Sequence, residues 1–561
     1  MCGFIGYISN AREEKGLARS LPWLARRGPD SWQLWMSSDR CVSLLHTRLA
    51  VVDKDPRANQ PYVDPDRALT LAFTGEIYNY PQLKSKFIHY NFRTVSDTEV
   101  ILAAYATCGI DGLSLLKGMF SIVIVDERQR KIILARDSIG KKPLFLAHWP
   151  EGALFGSSVL ALAAVNKELG EINDQALAYF WENSFVPPHT TVLSGVTPVL
   201  PGQVLELDWQ GNLIGQKHLE PERTYLYNSE PLGKVQETVD SLLTIALRRR
   251  LANNPRPVVL LSGGIDSTLV CKVAHQICSS AQPPVKLQAI TLRSFIPMMN
   301  DEFYARFAAG RMKIPLELVR PDMHRLGDLI IKAIDLQDEP LGMPSFFLLE
   351  RLVQAASAYG KVLLTGDGGD EVFLGYGKAA DWSRLNPDEI KQDYLSCGPA
   401  LPQEMSEWAR KTVSEVLIGH MFTKLDRAAS EQGVEIRCPL LDWDLVSYAR
   451  SLPFEVLLRG GRTKALLKDS FMGWPRWFLE RPKLGFAYNL RWHWGASNYS
   501  GLREAIDRRT IDTFAPFVPE VLRQSSSGWK MKDIFLNFEA AWRLLTWARF
   551  LARLDRTRCS G

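Results

Sequence analysis

A loop that follows a short apolar run carries the clearest chemical signal in the 561-residue sequence. Val258–Leu261 has the composition of a buried strand, and glycines, serines and an aspartate come directly after it. Adjacent glycines let backbone N–H groups turn towards an anion, and the hydroxyls add donors where a helix begins. A carboxylate beside bound phosphate needs a divalent cation between them, which predicts Asp266 as a Mg²⁺ ligand. The loop consists of Ser262, Gly263, Gly264, Ile265, Asp266 and Ser267.

A second loop rich in glycine and acids follows another predicted strand, Val362–Thr365. The run Gly366–Glu371 includes Asp367 and Asp370, and its carboxylates suit a metal ion or an amine rather than bare phosphate. It lacks the D-x-D-x-D-G spacing of a calcium loop, and the sequence contains no G-x-x-x-x-G-K-[ST] phosphate loop. Because the run follows a strand, we interpret it as part of a ligand site rather than a flexible acidic loop.

The amino terminus indicates a different chemistry. Cys2 follows the initiator methionine, whose removal would leave an N-terminal cysteine. The thiol is nucleophilic, and a free α-amine with a pKa of about 7.7–8.0 can accept its proton without a separate histidine. A cysteine at position 2 is by itself more often structural, so this interpretation depends on the motifs that follow.

Short polar motifs follow Cys2 and fall at strand ends or in loops, where a rigid scaffold assembles a site. The motifs are Arg27–Asp30, His46–Leu49, Asn59–Pro61, Phe73–Asn79, Ser96–Val100, Arg136–Asp137 and Gly140–Pro143.

With these motifs the chain resembles the glutamine-hydrolysing asparagine synthetase family over almost its whole length. The motifs after Cys2 look like the class II N-terminal-nucleophile glutaminase domain of that family. Ser262–Ser267 resembles the SGGxDS pyrophosphate loop of ATP pyrophosphatases, which split ATP between its α and β phosphates to adenylate a substrate. The resemblance implies that Cys2 releases ammonia from glutamine through a γ-glutamyl thioester. It also implies that Arg48 binds the glutamine carboxylate and that Glu76 and Asp97 bind its α-amino group.

The chain departs from this family at the expected oxyanion hole. Thr74-Gly75-Glu76 stands where the family usually has Asn-Gly-Glu. The Asn amide and the Gly N–H stabilise the tetrahedral intermediate, and losing one such donor costs about 2.7–4 kcal/mol of transition-state stabilisation. We expect the Gly75 N–H and the Thr74 hydroxyl to form a weakened hole. Glutaminase activity would then be slow, with free ammonia as a substitute nitrogen source.

The resemblance also assigns roles in ATP chemistry. Asp370 would join Asp266 in holding Mg²⁺ on the pyrophosphate, and Asp367 would orient or deprotonate the attacking ammonia. Lys464, at the end of the motif Gly460–Lys464, would neutralise charge that develops on the α phosphate. The backbone of Leu261, Leu292, Thr365 and Gly366, at the strand ends, would receive the adenine and ribose.

Two features leave open the identity of the acceptor and the role of one cation. Arg437 either supports the site or the acceptor carboxylate, or is a surface cation whose charged end reaches water. Leu336–Ser345 resembles the acceptor-side stretch of the family, whereas Thr291–Asn300 is more apolar and bulkier than the usual polar loop. Aspartate is the acceptor that the family implies, and another carboxylic acid, on a sugar, peptide or secondary metabolite, is the alternative.

Two other classes of protein would keep the same fold. A non-catalytic regulatory or assembly protein is expected to have lost reactive residues, yet Cys2, Asp266, Asp370 and Lys464 are all present. A cyclase with a vestigial glutaminase half would join an internal amine to the acyl-adenylate. The intact glutamine-binding residues argue against a cyclase.

The elements that must position these residues fall into two groups. Residues 1–205 contain short alternating runs typical of antiparallel strands, with helices near Pro81–Phe87 and Thr98–Thr107. This pattern predicts an α+β glutaminase layer domain. Residues 206–234 contain few sustained patterns and are predicted to form a linker.

Residues 235–561 alternate helices with buried strand candidates at Val258–Leu261, Leu287–Leu292 and Val362–Thr365. This alternation predicts an α/β doubly wound parallel sheet, the fold of an ATP pyrophosphatase domain. No further strand candidate stands out after Asp381, so we expect a helical C-terminal region that packs on the sheet.

Composition excludes several other classes. The net charge of +5, from 67 basic and 62 acidic residues, is too balanced to predict a nucleic-acid partner. The sequence has neither a signal peptide nor a run of about 18 apolar residues, which predicts no membrane partner. Eight cysteines without C-x-x-C spacing indicate a reducing compartment, so we expect a cytoplasmic protein. We interpret the basic, amphipathic Trp542–Arg558 as a solvated terminal helix, and the family suggests a homodimer.

Overall fold

The computed structural model of the chain describes residues 2–9, 16–150, 152–219, 230–252, 254–293, 301–320, 325–375, 412–459, 462–481 and 538–559. Strands in the first part of the chain are β1 Gly3–Ser9, β2 Ser31–Met36, β3 Val42–Arg48, β4 Tyr62–Asp64, β5 Leu69–Ile77, β6 Gly118–Asp126, β7 Lys131–Arg136, β8 Phe145–Trp149, β9 Gly152–Gly156, β10 Thr197–Pro198, β11 Gln203–Asp208 and β12 Leu213–His218. Its helices are α1 Leu21–Leu24, α2 Tyr80–Lys86, α3 Thr98–Cys108, α4 Val159–Val165 and α5 Asp174–Asn183.

These strands form two antiparallel sheets that face each other, in the orders β10-β8-β9-β1-β3-β2 and β12-β11-β7-β6-β5-β4. Successive side chains of a strand point to opposite faces, so each sheet buries one row between the sheets and another under helices. Phe4 and Ile8 of β1 lie between the sheets with Val123 and Val125 of β6, whereas Ile5 packs with α4 and α5. Helices α2 and α3 cover the outer face of the other sheet. The predicted α+β layer domain is confirmed.

The second part of the chain contains a parallel sheet in the order β15-β14-β13-β16-β17. Helices α6 and α7 cover one face of this sheet and α10 covers the other, which confirms the doubly wound α/β fold. The strands are β13 Val258–Leu260, β14 Gln288–Leu292, β15 Leu316–Val319, β16 Val362–Leu364 and β17 Glu435–Arg437. The helices are α6 Leu232–Leu251, α7 Ile265–Ser280, α8 Asp301–Met312, α9 Leu326–Ile334, α10 Ser345–Ser357, α11 Gly369–Val372, a π-helical segment Thr412–Phe422, α12 Thr423–Glu431, α13 Trp443–Ser451, α14 Phe454–Leu457, α15 Ala465–Asp469, α16 Arg476–Leu479 and α17 Phe538–Cys559.

Two strands of this sheet were not predicted. β15 alternates apolar residues with Glu317 and lies at the sheet edge. β17, which pairs in parallel with β16, contradicts the expectation that no strand follows Asp381. Its sequence Glu-Ile-Arg has no apolar run, because Glu435 and Arg437 are buried as an ion pair instead of as hydrophobic side chains.

The stretch predicted as a linker contains regular structure. β11 and β12 form a hairpin around Gly211, and β11 extends the sheet of the first domain by pairing with β7. The predicted boundary at residue 205 therefore falls inside β11. Residues 220–229, the central part of the predicted linker, lie outside the described residues.

The interpretation of Trp542–Arg558 as a solvated helix is wrong. In α17, Trp547 and Phe550 are fully buried and Trp542 is 1% exposed. The helix packs against α4 of the first domain and against α9, so it joins the two domains rather than covering the parallel sheet. Among the described residues, no helix is both long and apolar enough to cross a membrane.

Candidate functional site

The two glycine-rich loops meet where the order of the parallel sheet reverses. The sheet runs outwards from β13 on both sides, and ligands of such sheets bind at the carboxyl ends of the strands at this point. The loops after β13 and β16 touch: a Cβ at Gly366 would lie 2.4 Å from the Ser267 nitrogen, and one at Gly369 would lie 2.5 Å from the Asp266 Cγ. A side chain at Gly366 would collide with the backbone of the other loop, and one at Gly369 would collide with the Asp266 side chain.

The loop after β13 has the geometry of an anion-binding turn. The Ser262 and Ser267 hydroxyl oxygens lie 3.0 Å apart, and the Gly264 N–H donates to the Ser262 hydroxyl at 3.3 Å. Gly263 has φ +73°, and a Cβ there would lie 2.4 Å from the Ala305 nitrogen. Helix α7 begins directly after the turn, so its positive end faces the same space.

Lys464 lies between the two predicted Mg²⁺ ligands. Its ammonium forms ion pairs with Asp266 and, at 2.6 Å, with Asp370. Burial lowers the pKa of Lys464, but these two carboxylates outweigh burial and raise it above its ordinary value. Lys464 is held in a left-handed conformation with φ +54°, which directs its side chain into the loops. Gly460 and Gly461 of its motif lie outside the described residues.

The donor set fits Mg²⁺ bound together with nucleotide phosphates. Asp266 and Asp370 share one cation, so their carboxylates already lie within reach of a common point. Mg²⁺ in such sites is held by one or two carboxylates and completes its octahedral shell with phosphate and water oxygens. Among the described residues, no group of three or more His, Cys, Asp or Glu residues forms a metal site made of protein ligands alone.

The remaining predicted ATP-site residues lie at the carboxyl ends of adjacent strands. The Leu261 N–H donates to the Ile290 carbonyl, and the Thr365 N–H donates to the Arg437 carbonyl at 3.1 Å. Leu292 ends β14. Asp367 follows β16 and lies near the buried Lys424 of α12, an ammonium that the sequence analysis did not identify. Burial lowers the pKa of Lys424, and the charges of Asp367 and Glu371 oppose that effect.

Cys2 lies at the start of β1, beside the end of β3. The Leu49 N–H points at the Cys2 Sγ at 3.4 Å. Burial raises the pKa of the Cys2 thiol, and the Leu49 hydrogen bond and the charge of Arg48 partly offset this rise. His46, on β3, is fully buried with a pKa lowered to about 3 and donates to the Phe73 carbonyl, so it is neutral and already engaged.

The Thr74 hydroxyl is engaged with Cys2 itself. Its Oγ1 donates to the Cys2 carbonyl at 2.8 Å, and the Arg27 Nε donates to the same oxygen at 3.1 Å. A hydroxyl has one proton, so this proton is directed away from an oxyanion in the described conformation. Gly75, with φ +140°, packs so tightly against β6 that a Cβ would lie 1.9 Å from the Met119 carbonyl oxygen.

The predicted glutamine-binding residues are buried rather than surface ion pairs. Arg48 is 7% exposed, and its guanidinium donates to the Asp53 and Asp55 carbonyls and to the Asn59 side chain. Glu76 and Asp97 are each 5% exposed, and Asp97 accepts the Ile77 N–H at 2.9 Å.

Residues of the second domain complete this part of the site. Arg437 is 2% exposed, and its Nη2 lies 2.9 Å from the Glu76 carboxylate while its Nε donates to Glu435 at 2.6 Å. The interpretation of Arg437 as a surface cation is therefore wrong. Glu435 is close enough to the thiol to raise the pKa of Cys2. The proximity of Arg437 to Glu76 and that of Glu435 to Cys2 were not foreseen, because each brings together residues that lie far apart in the sequence.

Further buried contacts fix the two domains against each other. Arg27 forms an ion pair with Asp426 of α12 at 2.6 Å, with both side chains at most 5% exposed. The Lys141 ammonium donates to the Ile436 carbonyl. In the stretch that resembles the acceptor side, Asp338 accepts the Val159 N–H at 2.7 Å and so caps α4 of the first domain. Residues 294–300 of the other acceptor-side stretch lie outside the described residues.

Comparison with known proteins places both parts of the chain in families. Residues 1–218 match the family described as "Glutamine amidotransferase domain", and residues 238–552 match the family described as "Asparagine synthase". The chain is 25% identical to a glutamine-hydrolyzing asparagine synthetase 1 of Bacillus subtilis, covering 88% of each chain. It is 28% identical to a glutamine-hydrolyzing asparagine synthetase of Gallus gallus, over 87% of this chain and 84% of that protein.

A relative with a different name is similarly distant. "Amidase chry2" of Gibberella zeae is 26% identical, over 82% of this chain and 73% of that protein. The asparagine synthase match covers more than half of the chain, and the loops at the sheet reversal and the N-terminal cysteine lie in the two matched regions. The chain therefore belongs to the asparagine synthase family and carries a glutamine amidotransferase domain in its N-terminal half.

Proposed function

We propose that the protein is a glutamine-hydrolysing asparagine synthetase that converts L-aspartate, L-glutamine and ATP into L-asparagine, L-glutamate, AMP and pyrophosphate. The observation that carries this proposal is the meeting of Asp266, Asp370 and Lys464 where the parallel sheet reverses, in one chain with a partly buried Cys2. The first arrangement is suited to splitting ATP between its α and β phosphates, and the second to releasing ammonia.

In the proposed glutaminase half, the Cys2 thiolate attacks the side-chain carbonyl carbon of glutamine. The N-terminal amine takes the thiol proton and returns it to the departing ammonia, which leaves a γ-glutamyl thioester that water hydrolyses to glutamate. Arg48 holds the substrate carboxylate, and Glu76 and Asp97 hold its α-ammonium. The Gly75 N–H stabilises the oxyanion, and Thr74 and Arg27 fix the Cys2 carbonyl through the contacts described above.

In the proposed synthetase half, the acceptor carboxylate attacks the α phosphate of ATP, and pyrophosphate leaves from an acyl-adenylate. Ser262, Gly264 and Ser267 hold the pyrophosphate, and Lys464 neutralises charge that develops on the transferred phosphate. Asp266 and Asp370 would hold Mg²⁺, which supplies positive charge to the departing group. Ammonia then attacks the acyl carbon beside Asp367, which accepts a proton as AMP leaves.

Amidation of a different carboxylate is the second candidate. A relative named as an amidase is 26% identical to this chain, against 25% and 28% for relatives named as asparagine synthetases. Aspartate is preferred because two of these three relatives carry the name asparagine synthetase. The match with this chain covers at least 84% of the length of each of these two.

The experiment is to incubate the protein with ATP, Mg²⁺ and glutamine and to follow pyrophosphate release across a panel of carboxylic acids. We expect aspartate to stimulate release, with AMP and asparagine formed in equal amounts. Release with another acid and not with aspartate rejects asparagine synthesis but keeps the mechanism. The variant Asp266→Asn, which loses a negative charge in the phosphate loop, is the negative control.

A further inference from the structure

Four buried charged side chains from both domains meet beside Cys2. Glu76 and Asp97 come from the first domain, and Glu435 and Arg437 come from β17 of the second. All four are at most 5% exposed. Arg437 contacts Glu76 at 2.9 Å and Glu435 at 2.6 Å, and Asp97 is fixed by the N–H of Ile77, the residue after Glu76.

The cluster contains two more acidic groups than basic ones. Three carboxylates face a single guanidinium, and buried carboxylates without a cation take up protons. Burial raises the pKa of Glu76 well above its ordinary value, and burial together with the charge of Glu435 raises that of Asp97 to about 6. Burial also opposes ionisation of Glu435, but Arg437 and Lys142 outweigh it and lower the pKa of that group.

Other ionisable groups face the cluster from neighbouring elements. Two of them are cations with carboxylate partners elsewhere, since Arg250 pairs with Asp442 at 2.7 Å and Lys142 lies 3.9 Å from Asp426. The groups around the cluster are Arg250 of α6, Tyr78 after β5, Lys142 before β8 and Arg48 of β3.

We propose that Glu435 and Arg437 of the second domain are positioning residues of the glutamine site, where the substrate α-ammonium replaces a bound proton and shares Glu76 with Arg437. Glu435 is then the third carboxylate that attracts the ammonium, and Arg437 is a competing cation that limits its affinity. This inference rests on the proposed glutaminase function.

Arg437 also contacts the ATP site, through its backbone carbonyl. The Arg437 carbonyl accepts the Thr365 N–H at 3.1 Å, and Thr365 begins the acidic loop after β16.

The test measures glutamine binding by calorimetry to the full chain carrying Cys2→Ala, so that no turnover occurs. Titration at pH 7 in two buffers of different ionisation enthalpy counts the protons that leave on binding. We expect release of about one proton per glutamine, because the ammonium displaces the proton held on the coupled carboxylates.

Two further substitutions have opposite expected signs. Glu435→Gln removes an attracting charge, and we expect it to weaken binding about tenfold and to reduce proton release. Arg437→Gln removes the competing cation, and we expect tighter binding with more protons released. A purely structural role would weaken binding in both variants. Glu431→Gln is the matched control, since Glu431 pairs with the exposed Arg26 across the same domain boundary.

The outcomes separate this inference from the proposed function. Glutamine binding without proton release, or with unchanged affinity in Glu435→Gln, overturns the inference and leaves the glutaminase function standing. Failure of the Cys2→Ala protein to bind glutamine overturns both. If Arg437→Gln does not fold, the proton count and Glu435→Gln still decide the matter.

Discussion

Thr74 illustrates how one hydroxyl is assigned to one task. Its proton goes to the Cys2 carbonyl, which also accepts from Arg27, so Cys2, the proposed nucleophile, is fixed through its own backbone. This contact differs from the expectation that the hydroxyl would serve the oxyanion. The two roles can be told apart by measurement, because losing an anchoring hydrogen bond lowers the rate less than losing an oxyanion donor.

We expect Thr74→Val to lower the glutaminase kcat about tenfold, since an ordinary hydrogen bond contributes about 0.5–1.5 kcal/mol. Glutamate release from glutamine measures the effect. The matched control is Thr70→Val on the same strand, because the Thr70 hydroxyl has no hydrogen-bond partner among the described residues. A loss of about 100-fold or more would instead indicate an oxyanion donor.

Lys464 gives a second prediction at the level of single residues. Replacing it with Met removes the cation between Asp266 and Asp370, and we expect kcat for pyrophosphate release with ammonia to fall about 100- to 1000-fold. The KM for ATP should change less, because the charge is needed most in the transition state. Lys468→Met, one turn further along α15, is the control. If KM rose and kcat/KM fell by the same factor while kcat stayed unchanged, this result would contradict the assigned role.

At the scale of elements, α12 and β17 are two parts of the second domain that reach the N-terminal site. Asp426 of α12 pairs with Arg27, and β17 carries the pair that contacts Glu76. Removing one partner of a buried ion pair typically costs about 3–5 kcal/mol, because the other charge stays buried and unpaired.

We therefore expect Asp426→Asn to lower the free energy of unfolding by about 3–5 kcal/mol. Burial raises the pKa of Asp426, but Arg27, Lys142 and Arg427 outweigh burial and lower it well below its ordinary value. The stability from this carboxylate is thus fully present above its unfolded pKa of about 3.9 and is lost as the pH falls further. Chemical denaturation of both proteins between pH 3 and 7 should show that the free energy of unfolding declines less with falling pH in the variant.

The matched control for this prediction is Glu431→Gln. Glu431 lies on the same helix, and its partner Arg26 is 62% exposed. Pairs in such positions contribute about 1 kcal/mol or less, so the control should stay close to the natural protein. Equal destabilisation by the two substitutions would refute the special role of the Arg27–Asp426 pair.

The two loops were predictable from sequence because their chemistry requires glycine and acids at fixed spacing. Gly366 has no space for a side chain because of the backbone of the other loop, and Gly369 has none because of the Asp266 side chain. β17 was not predictable, because its burial depends on partners such as Glu76 that lie far away in the sequence. The charged residues of α17 suggested that this helix lies in solvent. Instead, Arg549 and Arg553 bind Asp335 and neighbouring carbonyls, and the apolar side chains are buried.

At the scale of the whole molecule, one hydrophobic cluster spans both domains. Leu160 of α4, Phe347 of α10 and Trp547 of α17 belong to the same buried cluster. Two domains with a continuous core are expected to unfold together rather than independently.

We expect calorimetry to show a single unfolding transition for the natural protein, and Trp547→Ala to lower its midpoint without splitting it. Loss of a buried tryptophan typically costs about 3–5 kcal/mol. Trp477→Ala is the control, since Trp477 is 48% exposed. Two separate transitions, with only the second affected by Trp547→Ala, would show that the domains are stabilised independently.

The packing of α17 on the first domain also has a consequence for the order of events during protein synthesis. Arg558 donates to the carbonyl of Gly170, a residue 388 positions earlier in the chain. At about 5–20 residues per second, a ribosome needs on the order of 20–80 s to make that intervening stretch. Throughout this time the surface of α4 lacks its cover, and β17, at Glu435–Arg437, is also missing for the larger part of it. Under the proposed function, a nascent chain would therefore not hydrolyse glutamine efficiently before the proposed synthetase domain has been made.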